Sequence, residues 1–366
     1  MGGQTRINGK DDCSDKVFIY KPKSDKWVET TPLPKKNVFF GCTTIGNKIY
    51  VIGGTIGGNP DWESYNTVYE GEIISNNSRE FTDLKGDYLG QQLPGDTPVV
   101  FAPGIISTDS TIEHGFPTFS PDGNEVFWQA NSFDHKIIHC LTMQRIGNMW
   151  TTPKISPYDS SPVFSPNGKR LYFLPFGEEN GEKNGPHFVE KKGIHWSDPI
   201  CMNLIKHFPE IKAVYNHSFT HNGTLYFLGY AEGYWNNFGI YRSELIEGVY
   251  EQPELLPASI NISGNIRNWT PFISPDESYL LFSSSRNSLK NDTGNIYISF
   301  RNLDKSWTNP INLGDKINTN LPERFPSISP DGKYLFFTRW FGRNNEDIMW
   351  VSSKIIDDIK KEVYNQ

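Results

Sequence analysis

RFPSISPDGKYLFFT, residues 324–338, is the stretch that decides the fold, because its central phrase occurs four more times along the chain. The phrase reads FSPDG at 119–123, FSPNG at 164–168, FTHNG at 219–223, ISPDE at 273–277 and ISPDG at 328–332. Successive copies start 45, 55, 54 and 55 residues apart. A near-constant period of this size marks a repeat architecture, and repeat proteins usually act through a composite surface.

The residues around the phrase define one repeat. A short segment ending in Pro117, Pro162, Pro271 or Pro326 precedes it, with His217 at that place in the third copy. An aromatic run follows: EVFW at 125–128, RLYF at 170–173, TLYF at 224–227, YLLF at 279–282 and YLFF at 334–337. Short aromatic runs bounded by Pro, Asp, Asn and Gly read as strands. The P-D-G between them is a tight turn, with proline presetting φ and glycine taking the positive value. A third strand (NIYISF at 295–300, DIMWVS at 347–352) precedes a fourth headed by Trp150, Trp196, Tyr250 or Trp307, each followed by a proline. Four antiparallel strands per repeat make one blade of an all-β propeller. Helical periodicity is absent before residue 354, and IIDDIKKEVYN (355–365) is either a short terminal helix or a frayed end.

The first eighty residues are written differently. CTTIGNKIYVIGG (42–54) then YNTVYE (65–70), with an earlier Gly2-Gly3 and VFIYKPKSDKW (17–27), resembles the kelch repeat over residues 1–75. From GDYLGQQLPGDTPVVFAPGIIS (86–107) to about residue 356 the chain resembles the TolB-type, WD40-like propeller family of bacteria. The carriers are WTPFISPDESYLLFSSSR (269–286), GNIYISFRNLDKSWTNPINLG (294–314) and the opening stretch. That resemblance implies a non-catalytic binding propeller, periplasmic or exported in its relatives. The expected organisation is a kelch-like part at 1–84, TolB-like blades at 85–357 and a tail at 358–366.

The last repeat lacks its aromatic-headed fourth strand, and two closures follow. Trp27-Val28-Glu29 can supply it, giving six blades with the kelch-like part in the ring. Alternatively PVVFAPGII (98–106) closes five blades, leaving the kelch-like part as an appendage. The first leaves fewer orphaned strands and is the expectation. Met1 falls inside a kelch-like blade, as in a cropped or rearranged gene product.

Composition excludes several function classes. Aromatics at 14% fill the wedges between blades without any ligand, and a net charge of −7 without a long Lys/Arg cluster argues against nucleic acid or anionic membranes. No run of eighteen apolar residues or N-terminal apolar core points to membrane insertion or a leader. Cys13, Cys42, Cys140 and Cys201 are isolated, without C-x-x-C or zinc spacing, and read as buried thiols. No G-x-S-x-G, H-E-x-x-H, P-loop or EF-hand pattern is present, so no cofactor or metal is expected. A prolyl-peptidase activity would need an α/β domain after the blades, and none follows.

What remains is positional. Five residues before each phrase lie His114, Asp159, Val214, Asn268 and Glu323, and four before it lie Gly115, Ser160, Tyr215, Trp269 and Arg324. These loop positions should share one rim of the channel. The candidate binding residues are therefore His114, Asp159, Tyr215, His217, Asn268, Trp269, Glu323 and Arg324. Loops 230–238 and 339–347 extend the surface, while Arg286 and Arg339 either reach the channel or pair with acids between blades. The expectation is a monomeric module that binds a protein or glycan at the channel mouth. The alternative is a carbohydrate-active enzyme (glycoside hydrolase or polysaccharide lyase) in which His114, Asp159 and Glu323 converge for acid–base chemistry.

Overall fold

The computed structural model describes residues 3–7, 10–21, 26–45, 48–58, 61–72, 84–133, 136–175, 185–193, 195–230, 238–262, 266–286, 294–342 and 345–364. The chain forms two compact units, 1–78 and 79–366.

The first unit is built from antiparallel hairpins. Gly41–Ile45, Lys48–Ile52 and Val68–Glu72 form a three-stranded sheet, and Thr55–Gly58 pairs with Asp61–Ser64. Gly53 and Gly54, at φ of 64° and 105°, turn the chain after the second strand. A Cβ on Gly54 would collide with Oδ1 of the buried Asn37, whose amide donates to the Gly53 carbonyl at 2.9 Å. Side-chain space and positive φ both require glycine there. Gly2, of the earlier glycine pair, lies outside the described residues.

The second unit is a β-propeller whose described residues hold five sheets of four or five strands, one for each copy of the phrase, and a small hairpin of Leu245–Ile246 with Val249–Tyr250. In the fourth sheet Asn268–Ile273, Tyr279–Ser284, Asn295–Phe300 and Ile311–Asn312 follow in order, each antiparallel to the next. The phrase forms the turn between the first two strands of every sheet. Gly123, Gly168, Gly223 and Gly332 take positive φ and donate back to the Ser or Thr carbonyl three residues earlier. In the fourth sheet Glu277 takes that conformation, at φ 60°. The serine hydroxyls hold the turns: Ser120 donates to Asp122 at 2.6 Å and Ser329 to Asp331 at 2.6 Å.

The aromatic-headed fourth strand is broken in two by its proline. In the first sheet Met149–Trp150 pairs with the end of Ile138–Ile146, and Lys154–Ile155 pairs with its middle. Pro153 lies between them and has no N–H for the ladder.

Five apolar clusters run between neighbouring sheets and join them in a circuit. Phe127 and Leu171 share the cluster between the first and second sheets, and Tyr172 with Phe227 that between the second and third. Tyr226 with Phe282, then Leu281 with Phe337, continue the circuit. Trp128 of the first sheet and Trp350 of the fifth share the last cluster, closing it. Phe101 and Trp350 are fully buried at this seam, each contributing roughly 1.5–3 kcal/mol or more by its burial.

The strand pairing corrects the expected closure. Val99–Val100 completes the fifth sheet, Val99 opposite Trp350 and Val100 opposite Met349, while Lys26–Thr30 pairs with Val17–Lys21. Residues 84–107 then fill the seam. The Tyr88 ring lies 5.3 Å from Phe119 and 5.0 Å from Tyr334, and its hydroxyl donates to Asp331 at 2.8 Å. The chain end forms a helix, Lys354–Tyr364, whose Ile356 is buried against the fifth sheet.

Candidate functional site

Four of the five innermost strands bulge just before the phrase. The register shifts between Ser160 and Val163, Tyr215 and Ser218, Trp269 and Phe272, and Arg324 and Ser327. Asn216, Thr270 and Phe325 occupy equivalent bulge positions at φ of 43°, 48° and 53°. Left-handed backbone costs on the order of 1 kcal/mol for such residues, and most for the β-branched Thr270. Hydrogen bonds between sheets hold these bulges. The Thr118 hydroxyl donates to the Pro162 carbonyl at 2.7 Å, and the Thr270 hydroxyl accepts from the Phe325 amide at 3.2 Å.

Both predicted columns lie on the far side of the bulge from the phrase, on adjacent in-register residues whose side chains alternate between faces. Five residues before the phrase, side chains turn into the sheets. Glu323 is fully buried; its carboxylate accepts from Arg339 Nε at 2.9 Å and from the Thr319 hydroxyl at 2.6 Å. Burial pushes the Glu323 carboxyl up, against the pull of those partners. Asn268 is buried and accepts from Ser284 at 2.8 Å and from Arg286 at 3.0 Å. Asp159 is half-buried near Cys140, where its charge adds to the burial that raises the thiol. These carboxylates have separate surroundings, and His114 pairs instead with Glu346.

His114 Nδ1 donates to the Glu346 carboxylate at 2.8 Å, and its ring lies edge-on to Phe325 at 4.7 Å. Burial opposes charge on Glu346, but His114 and the Thr338 hydroxyl hold the carboxyl below its usual range. Among the described residues Arg286 pairs with no acid: it donates to the Ser259 and Ile260 carbonyls and to Asn268, and lies over Phe282 and Tyr297. Arg339 pairs with Glu323 on the neighbouring strand of its own sheet.

Four residues before the phrase, the side chains gather aromatic surface. The Arg324 guanidinium carbon lies 5.8 Å from the ring centre of Trp269 and 5.3 Å from that of Trp340. Trp340 and Phe341 are exposed, at 38% and 40%. The Tyr215 ring is 6.1 Å from Phe238. Most of loop 230–238, positions 231–237, and residues 343–344 lie outside the described residues.

His217 stands at the bulge position where the other sheets carry proline. It is 1% exposed, and neither ring nitrogen has a hydrogen-bond partner among the described residues. Burial pushes its imidazole down to about 3, so the ring is neutral. His114, Gln129, Asn216, His217 and Phe325 line a small cavity of about 20 Å³. At the turn side of the channel a larger cavity, about 440 Å³, is lined by Pro121, Pro166, His221, Pro275, Asp276 and Pro330.

Three contributors escaped the sequence reading or were named there only within a loop: Gln129, Glu346 and Trp340. Gln129 lies in the strand Glu125–Asn131, just after its aromatic run, and has no counterpart of its kind in the other copies. Among the described residues no three His, Cys, Asp or Glu are grouped as a metal cage.

The Kelch motif is matched by residues 37–70. No curated protein matches the chain. Similar solved structures include an oligogalacturonate lyase from Vibrio parahaemolyticus, at 10% identity over 96% of each chain with a TM-score of 0.38. Hydrazine synthase of Kuenenia stuttgartiensis shares 16% identity over 69% of this chain and 77% of that one, TM-score 0.36. A puromycin-hydrolysing peptidase of Mycobacterium tuberculosis shares 13% identity over 71% of this chain and 39% of that one, TM-score 0.34. Likenesses this distant carry no argument about what the chain does.

Proposed function

We propose that the second unit is a monomeric, non-catalytic binding module of TolB-like type that takes a protein or glycan partner at the mouth where the innermost strands begin. The observation that carries this reading is the Arg324 guanidinium between Trp269 and Trp340, beside the exposed Phe341. Arg and Trp dominate binding hot spots, and flat indoles stack on sugar rings as readily as on peptide side chains. Contact with both indole rings restrains Arg324, so less side-chain entropy remains to be lost on binding.

Oligosaccharide and peptide panels screened against the whole protein, followed by calorimetry on the best ligand, test the reading. Trp269→Ala with Arg324→Ala should weaken binding about 100-fold or more, since hot spots cost about 2 kcal/mol or more each. The melting temperature should move only a few degrees. Unchanged affinity in the double variant would move the site elsewhere.

The second reading, a carbohydrate-active enzyme, is favoured by one observation, the His114–Glu346 pair at 2.8 Å. A carboxylate-oriented imidazole can act as a general base. Turnover of an oligosaccharide that falls in His114→Ala would establish it; turnover insensitive to His114 would exclude this pair as the catalyst.

A further inference from the structure

His114 and His217 come from different sheets yet line one small cavity on the channel, and three features of that cavity point to a ligand. His217 presents two ring nitrogens without hydrogen-bond partners among the described residues, although its side chain is 1% exposed. Buried polar groups are nearly always satisfied, so such a ring calls for an explanation. His114 donates Nδ1–H to the buried Glu346 carboxylate, which fixes its tautomer and leaves the Nε2 lone pair available. An imidazole backed by a carboxylate in this way is the arrangement in which histidine binds metals most firmly. Gln129 and Asn216 add amide oxygens to the same lining. The volume, about 20 Å³, suits a single ion or one water and nothing larger.

We propose that this cavity binds one divalent transition-metal ion, of the zinc or cobalt class, with His114 Nε2 and one His217 ring nitrogen as ligands and amide oxygen or water completing the set. Imidazole suits these ions, whereas calcium and magnesium favour sites built from oxygen. Replacing proline by histidine in one repeat out of five supplies a ligand that the other four innermost strands lack. The proposed ligands are not Trp269, Arg324 or Trp340, although Arg324 lies close enough to Glu346 to help hold its carboxyl down.

The test uses the full-length protein, stripped with a chelator and titrated with Zn²⁺ by calorimetry and with Co²⁺ by visible absorption. The expected result is one ion per chain, with a Co²⁺ spectrum showing nitrogen ligation. His217→Pro restores the residue of the sibling sheets and should abolish the spectrum in a protein that still melts cooperatively. His114→Gln should abolish it too, and Glu346→Gln should weaken Zn²⁺ binding by about 10–100-fold, as expected for loss of an orienting carboxylate. Absence of stoichiometric binding by the wild type, or binding that survives in folded His217→Pro, would overturn the proposal.

Discussion

The Glu277 carboxylate accepts a hydrogen bond from the Tyr226 hydroxyl at 2.6 Å, joining the third and fourth sheets. Arg242 Nε donates to the same oxygen at 2.8 Å, and Arg301 lies 3.9 Å away. This accounts for the one phrase that ends in Glu. Glu277 accepts a left-handed backbone, at φ 60°, in exchange for an inter-sheet ion pair that glycine cannot make.

Glu277→Gly should therefore destabilise the unit although it relieves backbone strain of about 1 kcal/mol. Losing charge-assisted bonds outweighs that relief, for a net loss of about 1–3 kcal/mol in denaturant unfolding. Stability equal to or above wild type would refute the network's role.

The same carboxylate sets a pH dependence. Burial opposes its ionisation, but Tyr226 and Arg242 outweigh it and hold the carboxyl below its usual range. A folded-state pKa below the unfolded one contributes stability above about pH 4.5, which is lost as pH falls through the folded value. The stability gap between wild type and Glu277→Gln should thus be full at pH 7 and shrink below about pH 4. A gap that widens on acidification would contradict this sign.

Glu323 and Arg339 make a buried pair whose single disruption leaves an uncompensated charge. Arg339→Met should cost about 3–5 kcal/mol, and Arg339→Met with Glu323→Met should recover much of it. Equal losses in the single and double variants would show that the pair itself contributes nothing special.

Two glycines at positive φ should respond differently to alanine. Gly332, at 75°, has open space where an added methyl group would sit, so Gly332→Ala should cost about 1 kcal/mol from backbone strain alone. Gly54→Ala also drives Cβ into Asn37, and should cost about 2 kcal/mol or more in the first unit. Thermal melts of both variants check the order, and a milder effect at Gly54 would contradict the packing.

Much of the architecture was legible because it is local. Pro-Asp-Gly sets a turn by its own dihedral preferences, and aromatic runs on either side announce the strands it joins. The closing strand was legible only as the less favoured of two candidates, 98–106. Val99–Val100 is two residues long and lacks an aromatic head, whereas Trp27-Val28-Glu29 has one; its partner is chosen by adjacency at the seam, where Tyr88 and Phe101 pack against Trp350. The rim was half legible. Counting back from the phrase located the right strand ends, but side-chain direction cannot be counted through a bulge. Thus Glu323 and Asn268 turn into their sheets, Arg324 and Trp269 gather aromatic neighbours, and His217 lines the small cavity.

The ring's closure carries the rest of the account, and a disulfide across it is the most direct measurement. Val100 and Met349 are register partners, and the neighbouring Phe101 amide donates to the Ile348 carbonyl at 2.8 Å. That places residues 100 and 349 at a non-hydrogen-bonded position, where Cα atoms lie about 4.5 Å apart, within reach of a disulfide. Val100→Cys with Met349→Cys should form the bond on mild oxidation, detected by peptide mass mapping. The oxidised protein should melt several degrees above its reduced form. Free thiols at both positions in the folded, oxidised protein would contradict closure by this strand.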